Sequence, residues 1–283
     1  MRVIIIGASG YIGSILSRGL GPTFSILEIN GPNTRSGLSV DFTSLPQVDE
    51  FKKLVEPIDV IINCIGFKDI NRSELEPDLA YRINVLTVKN LLSIFSEHCN
   101  IIHLSTDFVF GGSSGKYKES DKCNPLTVYG KTKLSAEALI RESAAEGAIV
   151  RICAPFDNQA AFPKFITESI SKNRVIDCYQ DAYYSPLSVL HFVKMMGNLI
   201  LSLEGALKTL HFSGERISRY HFAKLYSESL VGNSELISPI NREKTNLLPM
   251  SDISIDNHYT LQFLKYALPP IKKQIEREVR FEI

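Results

Sequence analysis

Four consecutive apolar residues run straight into a glycine turn at the start of this chain. Val3-Ile4-Ile5-Ile6 precedes Gly7-Ala8-Ser9-Gly10-Tyr11-Ile12-Gly13. A short continuous apolar run is the pattern of a parallel strand buried on both faces. Ile12, Ile15, Leu16 and Leu20 then recur at helical spacing, so a helix opens at the turn. Each glycine has a steric task there. Gly7 permits the tight turn, Gly10 lets the backbone approach a pyrophosphate, and Gly13 lets the helix pack close to the strands. The N–H groups at the helix start attract phosphate. The strand before and the helix after distinguish a dinucleotide motif from a plain turn.

The same alternation continues. Phe24–Ile29, Val60–Ile62, Ile101–Ser105 and Ala148–Ile152 read as strands, and Pro46–Glu56, Leu79–Phe95 and Thr127–Ala145 as helices. This order predicts an α/β chain of the Rossmann type, a doubly wound parallel sheet with helices on both faces. After Pro155 the pattern changes. Helices are expected near Phe162–Ser171, Leu187–Leu203 and Ser218–Leu230, with short extended pieces such as Leu210-His211-Phe212 between them. The expected division is a nucleotide-binding domain over 1–153 and a smaller α/β substrate lobe over 154–283, with a soft boundary.

Composition narrows the function classes. Lys plus Arg is 31 and Asp plus Glu is 31, so the net charge is zero. No global field then recruits nucleic acid or an anionic membrane, and neither is expected as a partner. The five cysteines are odd in number and lack C-x-x-C spacing, and the six histidines show no ligand spacing. No metal site is expected. The chain lacks a signal-peptide pattern and any apolar run near the ~20 residues of a membrane helix, which reads as cytoplasmic.

Ligands of such sheets sit at the carboxyl ends of the strands. Gly7, Ser9, Gly10, Tyr11, Ile12 and Gly13 are therefore the expected pyrophosphate contacts. Glu28 stands 21 residues after Gly7, where a ribose-binding acid is expected. It would favour NAD, whereas nearby Arg35 could serve the 2′-phosphate of NADP, and the two cofactors stay open. Asp41 and Phe42 are candidates for the adenine pocket. Cys64, Ile65 and Gly66 end a strand beside the dinucleotide track.

Tyr129 and Lys133 are four residues apart on one expected helix face. A carbonyl reduced by hydride needs a proton on oxygen. A phenol can give it, although its ordinary pKa is ~10. A lysine ammonium one turn away stabilises phenolate and eases the transfer. The same lysine can reach the nicotinamide ribose, so Tyr129 and Lys133 count among the cofactor contacts too. Thr106, just after a strand, is the candidate to hold the substrate oxygen, with Ser105 second.

Gly7–Gly13, Asn63–Glu74, Ser105–Phe110 and Tyr129–Glu137 together resemble the extended short-chain dehydrogenases/reductases. Within them the chain resembles the dTDP-4-dehydrorhamnose reductase branch, through Ser105-Thr106-Asp107-Phe108-Val109-Phe110 and Tyr129-Gly130-Lys131-Thr132-Lys133-Leu134-Ser135-Ala136-Glu137. Asn84 matches a helix asparagine that supports the active site in relatives. The resemblance implies an NAD(P)H-dependent reductase of a nucleotide-activated 4-keto-deoxysugar. Thr106, Tyr129 and Lys133 would be catalytic, and Asp107, Phe108 and Tyr184 would meet the nucleotide-sugar substrate. A homodimer is common in the branch, and nothing in the sequence decides it. Two departures stand in the second half. Leu248 precedes Pro249 where the branch has an Arg-Pro pair, and the segment Asp157–Phe165 is altered.

Two other functions remain open on the sequence. An epimerase uses the same fold. A dehydratase of the superfamily pairs Asp with Glu after the threonine, and here Phe108 follows Asp107, which argues against dehydration. A non-catalytic dinucleotide-binding subunit is the third, since the regulatory subunit of methionine adenosyltransferase resembles the same branch.

Overall fold

The opening apolar run forms β1 (Arg2–Ile6), fully buried from Val3 to Ile6, and the helix after the glycine turn is α1 (Tyr11–Leu20). The structure is a computed structural model and describes residues 1–32, 34, 37–242 and 250–280. Arg35, Leu248 and Pro249 lie outside the described residues. The chain continues through β2 (Ser25–Asn30), β3 (Leu38–Ser39), α2 (Leu45–Val55), β4 (Val60–Asn63), α3 (Ile70–Leu75), α4 (Pro77–Tyr81), α5 (Thr87–Phe95), β5 (Asn100–Thr106), α6 (Val128–Glu142) and β6 (Gly147–Ile152). The second half contains β7 (Pro155–Phe156), α7 (Ala161–Ser171), β8 (Ile176–Tyr179), β9 (Tyr183–Tyr184), β10 (Leu187–Ser188), α8 (Val189–Leu201) and β11 (Lys208–Phe212). It ends with β12 (Ile217–Ser218), α9 (Arg219–Val231), β13 (Ile237–Ile240), α10 (His258–Phe263) and α11 (Ile271–Arg280).

Seven strands form one sheet in the order β11-β6-β5-β4-β1-β2-β3. β1 pairs in parallel with β2 and β4, β4 with β5, and β2 with β3. The first six strands therefore take the order of a doubly wound dinucleotide-binding sheet. That order reverses between β1 and β4, where a crevice opens at the carboxyl ends.

Two compact units divide the chain. The first comprises Met1–Val109, Cys123–Arg151 and Met196–Leu210, and the second comprises Phe110–Lys122, Ile152–Met195 and His211–Ile283. In the first unit, Ile4, Ile6, Ile29, Phe51, Ile61 and Phe95 anchor a contiguous core, with the Phe51 ring set edge-on to Phe42 and Phe95 at 5.7 and 6.1 Å. Such edge contacts add to the stabilisation from apolar burial. In the second unit, β13 runs parallel to β8, β9 antiparallel to β12, and β7 parallel to β10. Phe222 on α9 meets Phe156, Phe162 and Tyr184, and Phe110 stacks on Tyr117 at 4.4 Å.

The helix expected over Leu79–Phe95 is broken into α4, a π-helical turn at Arg82–Leu86, and α5. The π turn inserts one residue into the helical repeat, a feature concentrated at functional sites. It carries Asn84, whose side chain is buried.

Candidate active site

The glycine turn is tied to the second strand. Gly7 takes a φ of +80°, and the N–H groups of Gly7 and Ala8 both donate to the Ile29 carbonyl, at 2.8 and 3.1 Å. A Cβ at Gly13 would lie 2.2 Å from the Gly7 carbonyl oxygen, so only glycine lets α1 start this close to the turn. Gly10 caps α1 with no side-chain acceptor, and the first turn of the helix holds no acid. The first N–H groups therefore have no capping side chain, and the dipole end favours an anion.

A cleft of about 480 Å³ opens beside this turn. Among its walls are Gly7, Ser9, Gly10, Asp41, Phe42, Cys64, Ile65 and Gly66, all singled out from the sequence. Tyr11, Ile12 and Gly13 stand in the first turn of α1 rather than in the wall. Glu28 is exposed on β2 and is not among the lining residues. Asp41 is the acid that the cleft does contain. Its carboxylate accepts from the Thr43 N–H and hydroxyl, at 2.9 and 2.7 Å, which folds the turn leading into α2. Sequence reasoning missed Gly31, Pro32, Arg82 and Thr87 in the same wall. Arg82 adds an exposed cation, placed there by the π turn that helical periodicity could not show.

The second cluster joins the end of β5 to the start of α6. Thr127 caps α6 by accepting from the Gly130 N–H at 3.0 Å, and the Val128 N–H donates to Glu74 at 2.7 Å. A Cβ on Gly130 would lie 2.2 Å from the Phe108 carbonyl oxygen. Glycine at this position brings the helix backbone against the loop after β5, and the Tyr129 ring lies edge-on to Phe108 at 5.9 Å. Thr106 donates to Asp107 at 3.0 Å and accepts from the Phe108 N–H at 3.3 Å. Thr106 and Asp107 are buried, and Phe108 is half-buried.

Electrostatics distinguish the members. Desolvation pushes the Tyr129 phenol up to about 12, against its hydrogen bond with Thr106, which lowers it, and with the Asp107 charge, which raises it. Burial brings the Lys133 ammonium down to about 8, opposed by the charges of Glu137 and Cys64. Burial likewise pushes the Cys64 thiol up to about 12. Asn84 accepts from the Phe67 N–H at 2.7 Å and donates to the Thr132 hydroxyl at 2.9 Å, so one amide joins the loop after β4 to α6.

Tyr184 belongs to the second unit. It is buried, and the Arg219 guanidinium covers its ring at 3.8 Å from the centroid. Among the described residues no cluster of acids, histidines and cysteines could hold a metal, and no helix is long and apolar enough to cross a membrane.

Comparison with known proteins agrees with this geometry. Residues 1–250 match the family described as the RmlD substrate binding domain. A dTDP-4-dehydrorhamnose reductase of Aggregatibacter actinomycetemcomitans is 32% identical over 240 residues, covering 78% of this chain and 76% of the relative. One from Salmonella typhimurium is 27% identical over 189 residues, and the match spans 66% of this chain and 62% of the relative's length. Among solved structures, a dTDP-4-dehydrorhamnose reductase of Bacillus anthracis in complex with NADP superposes with a TM-score of 0.85 at 25% identity, covering 99% of each chain. A hypothetical dTDP-4-dehydrorhamnose reductase of Sulfolobus tokodaii gives 0.80 at 29% identity, covering 96% of this chain and 99% of that one. With its doubly wound sheet, its glycine turn and a family match across residues 1–250, the chain belongs to the RmlD substrate binding domain family, that of the dTDP-4-dehydrorhamnose reductases.

Proposed function

We propose that this chain is an NAD(P)H-dependent reductase acting on the 4-keto group of a nucleotide-activated deoxysugar, in line with the name its relatives carry. The observation that carries this reading is the convergence of Thr106, Tyr129 and Lys133 where β5 ends and α6 begins. The residues present fit a dinucleotide. α1 begins without a capping side chain, Gly7 and Gly10 line the cleft, and Arg82 supplies a cation.

A bound NADH or NADPH supplies the hydride. Thr106 orients the substrate oxygen through its hydroxyl. Tyr129 gives its phenolic proton to that oxygen as negative charge develops there. A phenol at about 12 is a weak acid for this task, and the ammonium form of Lys133, one turn along α6, favours the phenolate. Asp107 and Phe108 form the wall next to the sugar, with Phe108 standing where dehydration would need an acid. The second unit is the proposed substrate lobe, in which the Arg219 guanidinium covers the Tyr184 ring. A homodimer is the proposed assembly, and sedimentation analysis tests it.

The deciding assay is oxidation of NADH and NADPH against a panel of keto-sugar nucleotides, with mass spectrometry of whatever copurifies. Turnover of a dTDP-4-keto-6-deoxysugar is the expected result. Cofactor binding without turnover of any sugar would replace the reductase by a binding subunit.

A further inference from the structure

Lys133 does not stand alone under the cleft. Its Nζ lies 3.1 Å from Nε2 of His103 on β5, and Nδ1 of His103 lies 3.1 Å from Nδ2 of Asn63 at the end of β4. All three side chains are buried. The orientation of Asn63 is fixed by a further bond, because its Oδ1 accepts from the Ile65 N–H at 3.0 Å. Its amide nitrogen must then face His103.

The donor inventory of this chain of groups has one consistent solution. Asn63 Nδ2 is a donor only, so Nδ1 of His103 must accept. A neutral imidazole then carries its proton on Nε2 and points it at Lys133. An amine lone pair accepts that proton, whereas an ammonium meets it donor to donor. Placing the proton on Nδ1 moves the conflict to Asn63, and flipping Asn63 moves it to the Ile65 N–H. Every arrangement with a charged lysine leaves one buried donor facing another.

We propose that Asn63 and His103 are positioning residues that favour the neutral amine of Lys133 over its ammonium, so that the ammonium gives up a proton readily. The groups that set the field at Lys133 are His103 on β5, Cys64 just past β4, and Glu137 one turn on along α6. Burial, with the Lys133 charge, holds His103 well below its ordinary range, so the imidazole enters this network neutral.

The consequence for turnover rests on the reductase reading above. After Tyr129 has given its proton to the substrate oxygen, a Lys133 N–H bond breaks and a phenolic O–H bond forms. The lysine nitrogen keeps the electron pair and accepts Nε2–H of His103. Solvent returns a proton to Lys133 before the next cycle.

The test does not depend on activity. In the unmodified protein, ¹⁵N–¹H correlation of the imidazoles, with His103 assigned through His103→Gln, is expected to show the His103 proton on Nε2. NMR titration of lysine-labelled protein, with the signal assigned through Lys133→Met, is expected to place Lys133 below other lysines. Asn63→Asp offers a carboxylate to Nδ1–H, frees Nε2 to accept, and should raise Lys133 by about one pKa unit or more. His103→Gln presents an amide oxygen without adding charge and should raise it likewise. A His103 proton on Nδ1 in the unmodified protein overturns the proposal, even if neither variant folds. So does a Lys133 titration that moves in neither variant. If the tautomer is as expected but no keto-sugar is reduced, the reductase reading fails and this inference stands.

Discussion

Arg151 grips Glu137 with two parallel bonds inside the first unit. Its Nε and Nη2 donate to the two carboxylate oxygens at 3.0 and 2.8 Å, and both residues are buried. Ser105 donates to the same carboxylate, and Arg141 reaches it at 2.8 Å. A buried ion pair this well satisfied costs about 3–5 kcal/mol to break by removing one partner. Glu137→Gln should therefore lose stability of that order in chemical denaturation, and Arg151→Met should lose at least as much.

The same pair predicts an acid limb of stability. Burial alone would raise the Glu137 carboxyl, but the Arg151 bonds and charge, then Ser105 and Arg141, bring it below its ordinary 4.5. The folded state thus holds the anion more firmly than the unfolded chain does. That stability is fully present above pH 4.5 and is lost as the pH falls through the depressed folded value. Unfolding free energies measured from neutral pH downward should fall less steeply in Glu137→Gln than in the unmodified protein.

Lys133 gives the opposite limb. Its ammonium is brought down to about 8 from 10.5, so between those values the unfolded chain binds more protons than the folded one. Stability from this residue rises with pH across that window. The stability difference between the unmodified protein and Lys133→Met should shift toward the former by up to about 3 kcal/mol between pH 7 and pH 11. Paired denaturation curves at the two pH values measure it.

Tyr129→Phe removes the proposed proton donor and keeps the ring against Phe108. Turnover should fall by about 10²–10⁴-fold, while cofactor affinity measured by titration changes little. Undiminished turnover in this variant would remove Tyr129 from the mechanism.

Gly130→Ala places a methyl group 2.2 Å from the Phe108 carbonyl oxygen. The helix start must move away from β5, at a cost of about 1–3 kcal/mol. The larger effect should fall on chemistry, because a shift near 1 Å in catalytic geometry costs on the order of 10²-fold. Thermal melting and steady-state kinetics together separate the two losses.

Much of this molecule is legible in its sequence. The run Val3–Ile6 and the turn after it announce β1, α1 and the cleft, because burial on both faces and close backbone approach leave direct marks in residue type. Tyr129 and Lys133 are legible through their spacing. Other features leave no such mark. The π turn at Arg82–Leu86 keeps the composition of an ordinary helix while rotating Asn84 inward. Glu28 has the right distance along the chain, but it is exposed and stands outside the cleft wall. Tyr184 looks like a ligand-facing aromatic and lies beneath Arg219. The Asn63–His103–Lys133 chain joins residues from three elements, and a tertiary register of that kind has no local signature.

The route of the backbone between the two units also governs how this protein can be altered. It passes from one unit to the other after Val109, Lys122, Arg151, Met195 and Leu210. A fragment ending at residue 153 would lack β11 and leave the rim of β6 bare, an invitation to intermolecular strand pairing. Specificity in such a chain cannot be transplanted as a single cassette. It must be rewritten in place, by scattered substitutions that respect a shared scaffold.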